Sequence, residues 1–240
     1  MKKLVVITGA SSGIGLASAI RLSKAGHPLL LLARRVEKLE QLNLPNTLCC
    51  KVDVTDLAHF QSAVDEAEAQ FGPVDLMINN AGIMLLGNVI TQNPTEWQQM
   101  LNINVMGVLN GIKTVIDKMV SRNCGTIINV SSIAGRKTFP NHAAYCATKF
   151  AVHALTENIR SEIASSNVRM TVIAPGMVET ELLSHTTDAA IIDMYQNWKK
   201  DTIKQGLDPN DIAQAIEYAY TQPQNVCIRE IVIAATKQDA

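Results

Sequence analysis

The chain has 240 residues, a formal net charge of −1, 47% hydrophobic residues and 18% charged ones, enough to bury a sizeable core in one large domain or two small ones. So even a charge balance offers no global field for nucleic acid or an anionic membrane, and neither partner is expected. The 5 cysteines, Cys49, Cys50, Cys124, Cys146 and Cys227, form no CxxC pair; with the N-terminal apolar run stopping at Thr8-Gly9 and no stretch near the roughly 18 apolar residues of a membrane span, a cytoplasmic protein is expected.

Short β-branched or leucine-rich runs alternate with longer amphipathic stretches. Residues 3–8 read as a strand, 14–25 as a helix, 29–32 as a strand and 35–42 as a helix. The pattern continues with a strand at 47–52, a helix at 57–71, a strand at 76–79 and a helix at 95–120. A strand at 126–130, a helix at 144–164, a strand at 169–173, a helix at 210–220 and a strand at 226–233 complete it. Most strand runs are continuously apolar, which suits burial on both faces of a parallel sheet. Asp56, Asn93 and Asp208 precede three of the helices as N-caps. Repetition of strand then helix predicts a single doubly wound, Rossmann-like α/β domain with a seven-stranded, mainly parallel sheet and helices on both faces. Residues 179–207 break the alternation and are too long for a simple connection, so a substrate lid is expected there.

The first strand runs into TGASSGIG, residues 8–15, and a helix follows at once. Gly9, Gly13 and Gly15 permit a tight turn and close approach of a pyrophosphate, which the free N–H groups and positive dipole end of the helix then receive. The spacing is GxxxGxG, not GxGxxG. With that turn, NNAG at residues 79–82, YCATK at 145–149 and PGMVET at 175–180, the chain resembles the short-chain dehydrogenase/reductase family over nearly its whole length.

That resemblance implies a nicotinamide dinucleotide held by Gly9, Ser11, Ser12, Gly13, Ile14, Gly15, Arg34, Asp53, Val54, Asn80, Ala81, Gly82, Tyr145, Lys149, Pro175, Gly176, Val178 and Thr180. Asp53 is matched to the family residue that meets the adenine, its alternative role being a helix cap that Asp56 could equally supply. Val178 and Thr180 are matched to contacts with the nicotinamide carboxamide. Dinucleotide folds usually carry an acid at the tip of the second strand for the ribose 2′-OH of NAD. Here that strand ends in Ala33-Arg34-Arg35. A guanidinium there suits a 2′-phosphate, so NADP(H) is expected over NAD(H), with Arg34 as the reader. Arg35 stays open between that role and opening a solvated helix.

Tyr145 and Lys149, at i and i+4, share one helix face. A phenol with an ordinary pKa near 10 is a sluggish acid–base group at neutral pH, and a neighbouring ammonium favours its ionised form. Tyr145 is therefore expected to move a proton, with Lys149 setting its acidity; their titrations are coupled. The resemblance adds Ser132, a donor to the reacting oxygen, while the adjacent Ser131 is expected to hydrogen-bond locally. It also adds Asn104 as the anchor of a water linking Lys149 to solvent, and gives Lys149 the nicotinamide ribose. Asparagine is a poor helix-interior residue, which marks position 104 independently.

The 5 histidines show no metal-like spacing, and no metal is expected. His142 either borders the substrate or lies exposed at a helix start, the second being expected. Cys146 reads as packing. Tyr195 and Trp198 either close over substrate or pack a neighbouring subunit, and Met84 and Met177 either line the pocket or fill the core. The ending VCIREIVIAATKQ resembles the subgroup acting on 3-hydroxy acids and related small alcohols, though Ala234-Ala235-Thr236 stands where relatives often have Pro-Thr. The expectation is an NADP(H)-dependent carbonyl/alcohol oxidoreductase. One alternative is a catalytically idle NADP-binding regulator on the same fold, which would tend to lose the serine, tyrosine or lysine. Another is an epimerase or dehydratase of the longer relatives, whose TGxxGxxG turn and large C-terminal domain this chain lacks. Family members commonly form dimers or tetramers through the helices matched by residues 95–120 and 144–164, so a homodimer or homotetramer is expected.

Overall fold

Strands buried on two faces need helices on both sides, and the chain supplies them in strict alternation. The computed structural model describes residues 2–238. The strands are β1 (Leu4–Thr8), β2 (Leu29–Ala33), β3 (Thr47–Lys51), β4 (Val74–Asn79), β5 (Gly125–Val130), β6 (Val168–Pro175) and β7 (Glu230–Ile233). They form one sheet in the order β3-β2-β1-β4-β5-β6-β7. Every pairing among the described residues is parallel, so the sheet expected to be mainly parallel is wholly so.

The helices are α1 (Gly13–Lys24), α2 (Val36–Glu40), α3 (Leu57–Phe71), α4 (Pro94–Leu101), α5 (Gly107–Ser121), α6 (Ala143–Glu162), α7 (Ala189–Trp198) and α8 (Pro209–Thr221). Successive strand side chains point to opposite faces. In β1 this sends Leu4 and Val6 into one core with Phe60 of α3 and Val115 of α5. Val5 and Ile7 enter the other core with Leu22 of α1 and Ile216 of α8. The three expected caps hold: Asp56 accepts from the His59 amide at 3.0 Å, Asn93 from Thr95 at 3.0 Å and Asp208 from Asn210 at 2.7 Å.

Three elements differ from the sequence pattern. The single helix expected over residues 95–120 is interrupted by a π turn at Asn102–Met106 between α4 and α5. The last strand is shorter than 226–233, because the carbonyls of Val226 and Ile228 accept from the side chains of Arg169 and Thr171. Residues 179–207 are not an open loop; they carry a 3-10 turn (Glu181–His185), α7 and a second π turn (Lys199–Ile203). The two ends of this excursion meet. Leu207 donates to the Met177 carbonyl and Glu179 to that of Leu207, both at 2.9 Å, while Glu179 also accepts from Gly206 at 2.9 Å and pairs with Lys199 at 2.5 Å.

Candidate active site

The strand order switches direction between β1 and β4, and the crevice at their carboxyl ends opens into a cavity of about 1520 Å³. Roughly 300–1,000 Å³ encloses a drug-sized ligand, so there is room here for a dinucleotide beside a substrate. One end is the turn after β1. Gly9 and Gly13 adopt φ of +64° and +53°, left-handed conformations that glycine takes without strain. Asn80 grips this turn, its Nδ2 donating to the carbonyls of Thr8 at 3.0 Å and Gly9 at 3.2 Å, while Thr8 Oγ1 receives the Asn80 and Ala81 amides. NNAG and the glycine turn are thus one construction.

α1 begins after Ser12, whose side chain makes no capping bond, and its first turn holds no acid. Its N–H groups and dipole therefore face the cavity with no acid of the helix's own first turn competing for them. Gly9, Ser11, Ser12, Gly13, Ile14, Arg34, Asp53, Val54, Asn80, Ala81 and Gly82 all line the wall. Gly15 is not among the lining residues. A Cβ there would stand 2.4 Å from the Gly9 carbonyl oxygen, so its smallness lets α1 pack closely against the turn. Arg34 lines the cavity exposed, close enough to Asp53 to help hold that carboxyl below its ordinary value, although the Thr55 amide is the larger cause. Arg35 is exposed and stands at the N-cap of α2, so it does open that helix. It also donates to Ser11 and Ser12 at 3.3 Å each and pairs with Glu181 at 2.9 Å, joining the glycine turn to the 179–207 segment. These features fit a phosphorylated dinucleotide.

At the other end Ser132, Tyr145 and Lys149 come together on the wall. Ser132 leaves β5 in extended conformation, its Oγ accepting from the Ala134 amide at 3.0 Å. Ser131 is buried and donates not within its own loop but to the Lys149 carbonyl, 3.2 Å away on α6. Tyr145 and Lys149 are 5% and 6% exposed. The Lys149 ammonium lies 5.7 Å from the Tyr145 ring centroid and donates to the Val130 carbonyl at 3.1 Å. Burial pushes the Tyr145 phenol above its ordinary value, with Ser132 pulling it partly back, and it draws Lys149 down to about 8. Desolvation therefore dominates, and the expected lowering of the phenol by its lysine is not seen in this arrangement.

Asn104 is buried behind the wall, in the π turn. Its Oδ1 accepts from the Ile83 amide at 2.8 Å, and its Nδ2 donates to the Ile83 carbonyl at 2.9 Å and to Thr148 Oγ1 at 3.1 Å. It thereby ties the chain after β4 to the residue preceding Lys149.

Pro175, Gly176, Val178 and Thr180 line the cavity as expected, and so do Met84, Met177, His142, Tyr195 and Trp198. His142 is half-buried, not exposed. Cys146 packs in the apolar cluster beside Met84 and Met100 and is not a lining residue. Two participants went unread in the sequence. Gln238 accepts from the Met177 amide at 2.9 Å and steadies the loop after β6. Glu181 directly follows PGMVET, and a carboxylate facing an Arg-Arg strand tip was the available signal.

A family model described as short chain dehydrogenase matches residues 3–190. An uncharacterized oxidoreductase of Staphylococcus saprophyticus is 40% identical over 98% of this chain and 97% of its own length. The closed form of a serine dehydrogenase complexed with NADP+ superposes with a TM-score of 0.91 at 28% identity, covering 99% of this chain and 96% of that one. An alcohol dehydrogenase from Thermococcus sibiricus complexed with 5-hydroxy-NADP gives 0.86 at 25% identity, covering 100% and 99%.

Proposed function

This chain belongs to the short chain dehydrogenase family and is an oxidoreductase, and from that premise we infer that it interconverts a carbonyl and its alcohol using NADP(H). The carrying observation is the meeting of Ser132, Tyr145 and Lys149 on one cavity wall that also presents the glycine turn and Arg34. The nicotinamide dinucleotide, when bound, supplies or accepts the hydride. The free N–H groups of α1 and the glycine turn hold its pyrophosphate. Arg34 reads a 2′-phosphate, which favours NADP(H) over NAD(H), in line with the NADP forms bound by the two solved relatives. Asp53 and Val54 line the adenine side, and Val178 and Thr180 the nicotinamide side.

Tyr145 donates the proton to the nascent alkoxide. A phenol is neutral near pH 7, and burial favours that form further; it is the form that carbonyl reduction requires. Ser132 donates to the substrate oxygen as negative charge develops. Lys149 places a cation beside the phenol and holds the nicotinamide ribose. Asn104 positions the Lys149 turn and anchors its link to solvent. Residues 179–207 close over the substrate, with small hydroxy acids and other small alcohols as the first candidates.

We further place the protein in the cytoplasm, where its five free thiols suit a reducing compartment. We propose assembly into a dimer or tetramer through α4–α5 and α6, where Leu101, Met106 and Phe150 are 43%, 48% and 42% exposed. The decisive test is Tyr145→Phe, assayed by NADPH consumption against a panel of aldehydes and ketones. Turnover should fall by a factor on the order of 10² or more, with NADPH affinity nearly unchanged. A variant that keeps most of its activity overturns the assignment.

A further inference from the structure

Rings are concentrated at the reacting end of the cavity. The chain has 4 Phe, 4 Tyr and 2 Trp, and Phe139, Tyr145, Tyr195 and Trp198 all face this one space. His142 is their hub. Its ring centroid lies 5.6 Å from Phe139, 6.2 Å from Tyr145 and 6.3 Å from Tyr195, and Tyr195 stands 5.5 Å from Trp198. All these separations fall within or near the range over which aromatic faces and edges attract. The series runs unbroken from the reacting phenol on α6 to the end of α7 in the lid. Met84, Leu182 and Ile191 add apolar surface to the same cavity.

The polar character of this wall is equally specific. His142 Nδ1 lies 2.6 Å from the Pro140 carbonyl, which can only accept, so Nδ1 carries the proton and Nε2 is the acceptor. Burial lowers the pKa of this ring, favouring that neutral form. The rings of Phe139, His142, Tyr195 and Trp198 contribute no cation of their own; Lys149, beside the Tyr145 ring, donates to the Val130 carbonyl. Lys199 in the lid is already paired with Glu179, and Arg35 with Glu181, while Lys200 lines the cavity at its exposed rim, away from the ring series. A carboxylate-bearing substrate finds no counter-charge in the ring series.

We propose that this wall selects ring-bearing ketones and alcohols, cyclic or aryl, whose ring packs against His142 and Tyr195 and whose hydroxyl or other hydrogen-bond donor is read by His142 Nε2. The proposal rests on the oxidoreductase reading of the same cavity and replaces small hydroxy acids as its preferred substrates.

The test compares NADPH-linked kcat/KM for acetophenone, 4-hydroxyacetophenone, butanone and acetoacetate with the unmodified protein. The aryl ketones should exceed both aliphatic compounds by roughly tenfold or more. Tyr195→Ala should collapse the acetophenone-to-butanone ratio by a similar factor. His142→Phe, which keeps a ring but removes the acceptor, should lower the ratio of 4-hydroxyacetophenone to acetophenone. Butanone or acetoacetate performing as well as acetophenone overturns the proposal, and so does a Tyr195→Ala variant whose ratio is unchanged. Should NADPH bind and no carbonyl be reduced, the oxidoreductase reading fails instead. The ring wall is then judged by quenching of Trp198 emission in Trp97→Phe, where Trp198 is the sole tryptophan. Saturable quenching by acetophenone upholds ring selection, and its absence refutes it.

Discussion

Lys149 is asked to be both charged and buried. Its pKa is drawn from 10.5 to about 8 by desolvation, so the folded value lies below the unfolded one. The native state then binds fewer protons between those values, and stability rises with pH across that window; below about pH 8 the full penalty of the buried charge is present. A displacement of this size corresponds to about 3 kcal/mol. Lys149→Met should therefore raise the thermal midpoint at pH 7 while abolishing turnover, measured by calorimetry and initial rates. A lowered midpoint would mean that the bond to Val130 outweighs the desolvation. Arg34 presents the opposite case, an exposed cation whose use lies in a ligand. Arg34→Ala should reduce kcat/KM with NADPH by roughly 10–100-fold, the loss of one or two charge-assisted bonds, and leave NADH nearly unaffected. Equal losses with both cofactors would remove Arg34 from the specificity role.

The π turn at Asn102–Met106 shows what an element adds to its residues. A continuous helix of ordinary period would satisfy the apolar pattern of residues 95–120 just as well, so hydrophobic spacing could not reveal the wider turn. What the sequence did reveal was the misfit of Asn104, because an asparagine inside a helix calls for a reason. The reason is the peptide of Ile83, both of whose polar groups it satisfies. Asn104→Ala should destabilise the fold by about 2–4 kcal/mol in chemical denaturation, since buried backbone groups are left unpaired, and should lower kcat through Thr148 and Lys149. Loss of stability without loss of kcat in the folded fraction would confine Asn104 to structure. Strand ends were readable for a related reason. Ser132 and the glycine turn lie beside the runs that define β5 and β1, so position along the chain already implied position in the crevice.

At the scale of the whole molecule, legibility follows chain distance. The alternation of strands and helices dictated the sheet, and short local motifs marked Ser132, Tyr145 and Lys149, which the fold brings to one cavity wall. The contacts joining His142 to Tyr195, Arg35 to Glu181 and Gln238 to Met177 span long stretches of chain and left no periodic trace. The assembly proposed through α4–α6 would likewise be a property of the surface. Phe150→Glu places a charge among the exposed apolar side chains of α4–α6, so sedimentation should show a smaller species than the parent; an unchanged mass would relocate the interface. The excursion between Val178 and Leu207 leaves and rejoins the body through adjacent backbone groups, paired as an isolated parallel bridge. Its base is held by these main-chain bonds together with the Glu179 carboxylate, which accepts from the Gly206 amide. The segment thus behaves as a module with a defined base, whose inner sequence can vary while the sheet beneath it keeps its register.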